Sequence, residues 1–151
     1  MQSEKLIELL LAYLSEREDK TTEISKLSNA DWKALLRLST HHGVAPLLYH
    51  RLSNAGVKVP DEVFEALYKA YHSNVFRNIQ YYHSLSEVLK RLQRGGIDVI
   101  VLKGAYLAKT VYQSQALRVI GDIDLLVKKA DLGQAEKILL EMGYGPTERP
   151  S

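Results

Sequence analysis

The stretch Val99–Val127, VIVLKGAYLAKTVYQSQALRVIGDIDLLV, carries the clearest pattern in this chain of 151 residues. It starts in a β-branched, apolar run, Ile97–Leu102, that follows a Gly-Gly pair and predicts a strand buried on both faces. After this run, apolar residues recur at helical spacing as far as Tyr112. A second apolar run, Val119–Val127, predicts a second strand. The order is therefore strand, Gly-led loop, helix, loop and strand.

Two carboxylates, Asp122 and Asp124, lie at i and i+2 inside the second predicted strand. Because side chains alternate along a strand, both are expected on one face, where they repel each other. A hard divalent cation with oxygen ligands removes that penalty, and Mg²⁺ typically uses one or two carboxylates together with substrate phosphates. A solvated strand end at a turn is the alternative interpretation of an isolated Asp-x-Asp.

Positive charge flanks the predicted helix between the two strands. Gly104 at the helix start would let backbone N–H groups approach a ligand, and the positive end of the helix favours an anion such as phosphate. Lys103 adds a formal positive charge there. Taken alone, however, Lys103 fits a surface lysine at a strand end as well as it fits a residue that binds the anion. Arg118 lies four residues before the first aspartate. Taken alone, it fits an ion pair with one of the two carboxylates as well as it fits a residue that binds the anion.

Taken in order, these motifs resemble those of the nucleotidyltransferase superfamily, which has the DNA polymerase β-like fold. More narrowly, they look like the branch long labelled "uncharacterised nucleotidyltransferase". The residues that carry the resemblance are Leu102-Lys103-Gly104, Tyr112, Arg118 and Asp122-Ile123-Asp124-Leu125-Leu126-Val127, with Leu140–Tyr144 after them and Asp31-Trp32 and His42–Tyr49 before them.

The resemblance implies a metal-dependent enzyme that moves a nucleoside monophosphate from a nucleoside triphosphate to the hydroxyl of an unidentified acceptor. Asp122 and Asp124 would be the catalytic carboxylates and would hold Mg²⁺ or Mn²⁺. Lys103, Gly104 and Arg118 would bind the triphosphate substrate. The superfamily usually has a third carboxylate on a later strand, which we expect beyond residue 151, in a longer protein.

A rival interpretation from another class is a non-catalytic module that binds nucleotide or a protein partner through its helical half. Antitoxin-like and regulatory relatives of this superfamily behave in that way. A kinase or ATPase is disfavoured, because Lys103-Gly104 does not stand in the G-x-x-x-x-G-K-[ST] order of a P-loop.

The pattern of helices and strands predicts an α+β fold, in which an N-terminal helical bundle and a long helix pack on a small sheet. The resemblance implies that this is an incomplete nucleotidyltransferase sheet. Residues 1–95 are expected to form the helical region, and residues 96–151 a truncated β-α-β-α core. Two strands are too few to be stable alone. They must therefore pack on the long helix, recruit a strand from another chain in a homodimer, or be marginal.

Several helix boundaries are also predicted. Ser28 to Asp31 resembles a capping box, and the long helix is expected to start at Pro60 and to run to Arg94, with a break near Ser73-Asn74 as an alternative. Asp131 is expected to cap the last helix, which a Pro-flanked tail would follow.

Aromatic and histidine side chains in the helical half are interpreted as structural. Adjacent residues on a helix do not share a face, so His41 and His42 are interpreted as residues of a helix C-terminus and not as a metal pair. A second set of such side chains lies along the long helix, and we interpret it as helix packing, with base stacking as the alternative. Its members are Tyr68, Tyr71, His72, Tyr81, Tyr82 and His83.

The composition indicates which kinds of binding partner and which environment the protein is expected to have. With 46% hydrophobic and 25% charged residues the chain is an ordinary globular sequence, and a net charge of +2 does not indicate a nucleic-acid partner. It contains no cysteine, which excludes disulfides and thiolate metal sites and fits a cytoplasmic protein. Its apolar runs are shorter than the roughly 20 residues of a membrane helix, so no membrane association is expected.

Overall fold

The computed structural model describes residues 3–15, 19–112 and 114–146, and at residues 105 and 109 the backbone alone. The helices are α1 (Ser3–Ser15), α2 (Thr21–Ser25), α3 (Asn29–His41), α4 (Ala45–Ala55), α5 (Asp61–Arg94), α6 (Lys103–Thr110) and α7 (Leu132–Glu141), and the strands are β1 (Val99–Val101) and β2 (Leu125–Val127). Single turns of 3₁₀ helix lie at Gln115–Leu117 and Lys129–Asp131. The predicted tail, from residue 147 onward, lies outside the described residues.

The predicted cap of α3 is confirmed, whereas that of α7 is wrong. Ser28 is extended, and its hydroxyl accepts the Asp31 N–H at 3.2 Å. Asp131 occupies the N-cap position of α7, but its side chain makes no capping hydrogen bond with any described residue. The cause is its helical backbone, with φ −93° and ψ −4°, because an N-cap side chain reaches the helix N–H groups from an extended conformation.

Helix α5 runs for 34 residues, as the apolar spacing predicts, and it is continuous through Ser73 and Asn74. Acidic residues, Asp61 and Glu62, occupy its first turn, and a basic pair, Arg91 and Arg94, occupies its last turn. Both placements complement the helix dipole. Tertiary packing adds to this, since most of the stability of a helix in a protein comes from burial of its apolar face.

The structure divides into two units, of which the first comprises Met1–Asn78 and Ala108–Val119. Its core is a cluster of large apolar side chains that are almost completely buried: Ile24, Trp32, Leu35, Leu48, Leu52, Val63 and Leu67. Helix α1 contacts α2, α3 and α4, and α4 contacts the 3₁₀ turn at Gln115–Leu117. This part of the chain is the helical bundle that the sequence predicts.

Two buried asparagines of α5 hold the segment after α6 in the first unit. The Asn74 amide donates to the carbonyls of Ala116 and Arg118 at 2.7 and 3.0 Å. The Asn78 amide donates to those of Gln115 and Arg118 at 2.7 and 2.9 Å. Buried carbonyls need donors, so these amides determine where the segment lies.

The second unit comprises Ile79–Leu107 and Ile120–Ser151 and contains the sheet. Strands β1 and β2 are antiparallel, with Val99 opposite Val127 and Val101 opposite Leu125. The prediction that the second strand starts at residue 119 is wrong, because the chain turns away from the ladder into α6 directly after Leu102. Beyond that point the segment before β2 has no partner strand among the described residues.

The helices that the structure describes cover one face of the sheet. Val88 and Leu92 of α5 and Ala135 of α7 form a buried cluster against which the inward strand side chains pack. On the other face, Ile100 and Leu126 are opposite each other and are 60% and 52% exposed. The prediction of a strand buried on both faces is therefore wrong, because the described helices cover a single face.

The α+β class is confirmed, as is the packing of the long helix on a small sheet. The nucleotidyltransferase type of that sheet and the division at residues 95 and 96 stay predictions. None of the described helices is both long enough and apolar enough to span a membrane.

Candidate functional site

Asp124 lies immediately before β2, next to the turn between β1 and α6. Its backbone carbonyl accepts the Leu102 N–H at 2.9 Å, which adds one hydrogen bond to the end of the ladder. Its carboxylate atom Oδ1 accepts from Lys103 Nζ at 3.2 Å. The antiparallel register thus brings Lys103 and Asp124 together, although 21 positions separate them in the chain.

The Lys103–Asp124 pair is unequally exposed. The lysine side chain is 71% exposed and the aspartate side chain 27%. An ion pair with one partner in solvent contributes only about 0–1 kcal/mol. A cation that binds Asp124 more strongly can therefore replace the ammonium, which would then be free to contact another anion.

Lys103 has a strained backbone, with φ of +46°, in the left-handed region that side chains with a Cβ rarely adopt. Lys103 is the first residue of α6, and only Leu102 separates it from the end of β1. Such a conformation costs about 1–2 kcal/mol in a residue other than glycine. Strained residues cluster at functional sites, and here the strain places a lysine where glycine would be easier to accommodate.

Replacement of Lys103 should show this strain directly. Because glycine tolerates positive φ, Lys103→Gly is expected to be about 1 kcal/mol more stable than Lys103→Ala, the reverse of the usual order in a helix. Urea denaturation of the two variants measures the difference. Both lack the ammonium group, so the comparison isolates the backbone, and a more stable alanine variant would contradict the strain.

Asp122 is exposed and lies two residues earlier in the same extended segment. Its backbone carbonyl accepts a hydrogen bond from the Tyr81 hydroxyl of α5. Burial raises the pKa of Tyr81 above its ordinary value of 10.0, and the negative charges of Asp122 and Asp124 raise that pKa further. Tyr81 thus holds the backbone at Asp122, and the placement of the two carboxylates on one side of the chain stays a prediction.

The variant Tyr81→Phe tests the raised pKa of Tyr81 through the pH dependence of stability. Because this pKa is higher in the folded chain than in the unfolded chain, the contribution of Tyr81 to the free energy of unfolding is complete below about pH 10. That contribution is lost as the pH rises through the folded pKa, because the unfolded chain ionises first. We expect the wild type to lose more stability than Tyr81→Phe between pH 9 and about pH 11. Guanidinium denaturation at both pH values measures this, and equal losses would contradict a raised pKa of Tyr81 in the folded chain.

The donor atoms at Asp124 fit a hard divalent cation. Atom Oδ2 is buried, and no described residue donates a hydrogen bond to it. An unpaired buried carboxylate oxygen is unfavourable, and oxygen is the ligand that Mg²⁺ prefers. Within residues 3–15, 19–112 and 114–146, no group of three or more His, Asp or Glu side chains comes together that could hold a metal. The pairing of Asp122 with Asp124 as metal ligands therefore stays a prediction.

Gly104 is the second residue of α6 and is half-buried. A Cβ added to it would lie 3.4 Å from Ile120 Cγ2, which is close to an ordinary contact. Packing by itself therefore does not require glycine at this position, and its predicted role in bringing backbone N–H groups close to a ligand remains a prediction.

Arg118 belongs to the first unit, whereas the other predicted site residues, Lys103, Gly104, Asp122 and Asp124, belong to the second. Its Nη1 donates to the Tyr112 hydroxyl at 3.4 Å, and its guanidinium carbon lies 5.8 Å from the centre of the Tyr112 ring. Its Nε is buried and finds no acceptor in the described part of the chain. Arg118 is therefore a charged group whose hydrogen bonds are incomplete.

The sequence does not reveal that Tyr81, Asn74 and Asn78 hold other segments of the chain in place. It predicts that Tyr81 serves helix packing, yet the Tyr81 hydroxyl positions the backbone at Asp122. The two asparagines are 0% and 3% exposed and stand four residues apart in an otherwise apolar helix face. Buried amides at that spacing indicate that α5 anchors another segment, although they do not identify which one.

Comparison with known proteins supplies the family. A family model described as "Uncharacterised nucleotidyltransferase" matches residues 28–151, which is most of the chain. No curated protein and no solved structure matches the chain. The chain therefore belongs to the uncharacterised nucleotidyltransferase family, with a general role in nucleotidyl transfer.

Proposed function

We propose that the protein is a metal-dependent nucleotidyltransferase that moves a nucleoside monophosphate from a nucleoside triphosphate to an acceptor hydroxyl. In this reaction the acceptor hydroxyl gives up its proton to water and its oxygen bonds to the α-phosphorus. The bond from that phosphorus to the bridging oxygen breaks, and pyrophosphate leaves. Family membership supports the transfer. The metal, the triphosphate site and the residues that hold them are the finer part of the proposal.

The observation that carries this proposal is the state of the Asp124 carboxylate. One oxygen contacts an exposed lysine at 3.2 Å, and the other is buried without a described donor. A carboxylate in this state can exchange its weak ammonium partner for a divalent cation and satisfy its unpaired oxygen at the same time. Asp122, two residues earlier in the chain, would be the second protein ligand.

Each predicted residue then has a role that follows from its chemistry. A bound Mg²⁺ or Mn²⁺ would neutralise phosphate charge and stabilise the developing charge during transfer. Asp122 and Asp124 would orient the ion, with triphosphate oxygens and water as its other ligands. Lys103, released from Asp124, would contact the triphosphate beside Gly104, while Arg118 stays a predicted substrate-binding residue with a bidentate fork.

Metal removal tests the proposal. We expect the full-length protein, with the third carboxylate that the family resemblance implies, to release pyrophosphate from at least one of the four nucleoside triphosphates, with Mg²⁺ and a small-molecule cell extract as the source of acceptor hydroxyls. Chelation by EDTA should stop the release, and added Mn²⁺ should restore it. Asp122→Asn should reduce it strongly, because an amide is a neutral and weaker ligand for a hard cation.

Two results would count against the proposal. Pyrophosphate release that continues in EDTA, or that Asp122→Asn leaves unchanged, would remove the metal and the carboxylates from the reaction. Triphosphate binding without release, under every metal and nucleotide tried, would favour the non-catalytic binding module.

A further inference from the structure

A cavity of about 330 Å³ lies within the first unit, where the end of α3 and the start of α4 meet the segment after α6. The residues around it include His41, His42, Leu47, Tyr112 and Arg118. This volume is at the lower end of the roughly 300–1,000 Å³ range of small-molecule sites. It is thus large enough for a small polar group.

The charge around the cavity has one sign. Arg118 contributes a guanidinium, which is always protonated, and His41 and His42 contribute two imidazoles with ring centres 5.0 Å apart. Among the described residues that line the cavity, none is acidic. A permanent positive charge without a facing carboxylate there favours an anion.

The guanidinium is also short of hydrogen-bond acceptors. Its Nη1 donates to the Tyr112 hydroxyl at 3.4 Å, which is a long hydrogen bond, and its buried Nε finds no acceptor among the described residues. A buried donor on a charged group is unfavourable when it is left unpaired. An anion beside Arg118 would offset the charge, and a small shift of the side chain would also satisfy the donor.

The backbone around the cavity does not oppose an anion. The last carbonyls of α3 already accept from the N–H groups of His42, Gly43 and Val44, at 3.0, 3.1 and 2.8 Å. These hydrogen bonds reduce the partial negative charge that a helix C-terminus would otherwise present. The first turn of α4, to which Leu47 belongs, adds the positive end of an 11-residue helix.

Arg118 is held in position from the other side. Both Asn74 and Asn78 donate to its backbone carbonyl, at 3.0 and 2.9 Å. Both amides come from the buried face of α5. The backbone that carries the charged side chain is therefore held in place before any ligand binds, which lowers the entropy lost on binding.

We propose that this cavity is a phosphate-binding site, with Arg118 as the charged partner and the Tyr112 hydroxyl and the imidazoles of His41 and His42 as additional donors. The site lies wholly within the first unit. Arg118 is also predicted to bind the triphosphate in the proposed reaction, but phosphate binding at this cavity can be tested without that reaction and without metal. The phosphate could belong to the nucleoside triphosphate or to a phosphorylated second substrate.

Binding of inorganic phosphate to the full chain in EDTA tests the proposal without metal or turnover. The imidazole carbon-bound protons of His41 and His42, followed by NMR, should shift saturably with phosphate. Arg118→Gln should weaken binding at least about tenfold, because it removes a charge-assisted partner. The matched control is Arg37→Gln, an exposed arginine earlier on α3 that does not line the cavity, which should leave the affinity unchanged.

A second variant covers the case in which Arg118→Gln alters the fold. His42 is exposed, so His42→Gln should keep the wild-type circular dichroism spectrum and still weaken phosphate binding several-fold. The proposal is overturned if phosphate causes no saturable shift, if His42→Gln binds as the wild type does, or if Arg37→Gln weakens binding as much as Arg118→Gln. The last result would indicate diffuse attraction to the whole surface.

Competition then identifies the source of the phosphate. A non-hydrolysable nucleoside triphosphate analogue and ribose 5-phosphate are each titrated against bound inorganic phosphate. Displacement by the analogue at the lower concentration assigns the site to the triphosphate, and displacement by the sugar phosphate assigns it to a phosphorylated acceptor. Since no metal is present, failure of this site and failure of the carboxylate site remain separate results.

Discussion

Asp124→Asn is expected to lower metal-dependent pyrophosphate release on the order of 10²–10³-fold, the effect of removing one preorganised electrostatic contact from a transition state. The change keeps the size of the side chain and removes its charge. Because Asp124 contacts a mostly exposed lysine, the free energy of unfolding should change by no more than about 1 kcal/mol. Parallel measurement of release and of urea denaturation separates these two effects.

The chain offers a matched control for this variant. Asp98 precedes β1 and pairs with Lys128, which follows β2, at 2.6 Å, so it is a second aspartate–lysine pair in the same unit. Both side chains are largely exposed, and Asp98→Asn should leave pyrophosphate release within about twofold of the wild type. Equal losses in the two variants would attribute the effect to surface charge and not to the site.

Leu92→Ala should cause the largest loss of stability, about 2–5 kcal/mol. Leu92 is 1% exposed and lies in the cluster on which the inward face of the sheet packs. A two-stranded sheet is at best marginal alone, so a cavity beneath it should loosen the strands that position Lys103 and Asp124. Chemical denaturation followed by circular dichroism measures the loss.

Leu140→Ala is the control for Leu92→Ala, because it makes the same change at a position on α7 that is 52% exposed. It should alter the free energy of unfolding by less than about 1 kcal/mol. If both leucine variants lost the same stability, the sheet would not depend on α5 in the way that the packing indicates.

The features predicted correctly from sequence are those with local causes. The start of α3 follows from the contact between Ser28 and Asp31, which are three residues apart, and the length of α5 follows from continuous apolar spacing between Pro60 and the Gly-Gly pair after Arg94. The family was recognised because several short motifs follow each other in a fixed order along the chain. These features are read directly from the order of residues, so no knowledge of distant contacts is needed.

The features predicted wrongly depend on partners that are distant in sequence. The apolar run from residue 119 looks like a long strand, but a strand lasts only while another strand lies beside it, and β1 has three residues. Whether Ile100 is buried depends on what covers the second face of the sheet. For Tyr81, sequence does not show that its hydroxyl meets a carbonyl 41 residues away.

The central claim is that Asp122 and Asp124 together hold a divalent cation with a triphosphate. Electron paramagnetic resonance of Mn²⁺ tests it most directly, because free Mn²⁺ is counted without turnover and without an acceptor. With a non-hydrolysable triphosphate analogue present, the wild-type chain should bind the Mn²⁺–triphosphate complex, and the double variant Asp122→Asn/Asp124→Asn should bind it at least about a hundredfold more weakly. The same affinity in both proteins would contradict the account.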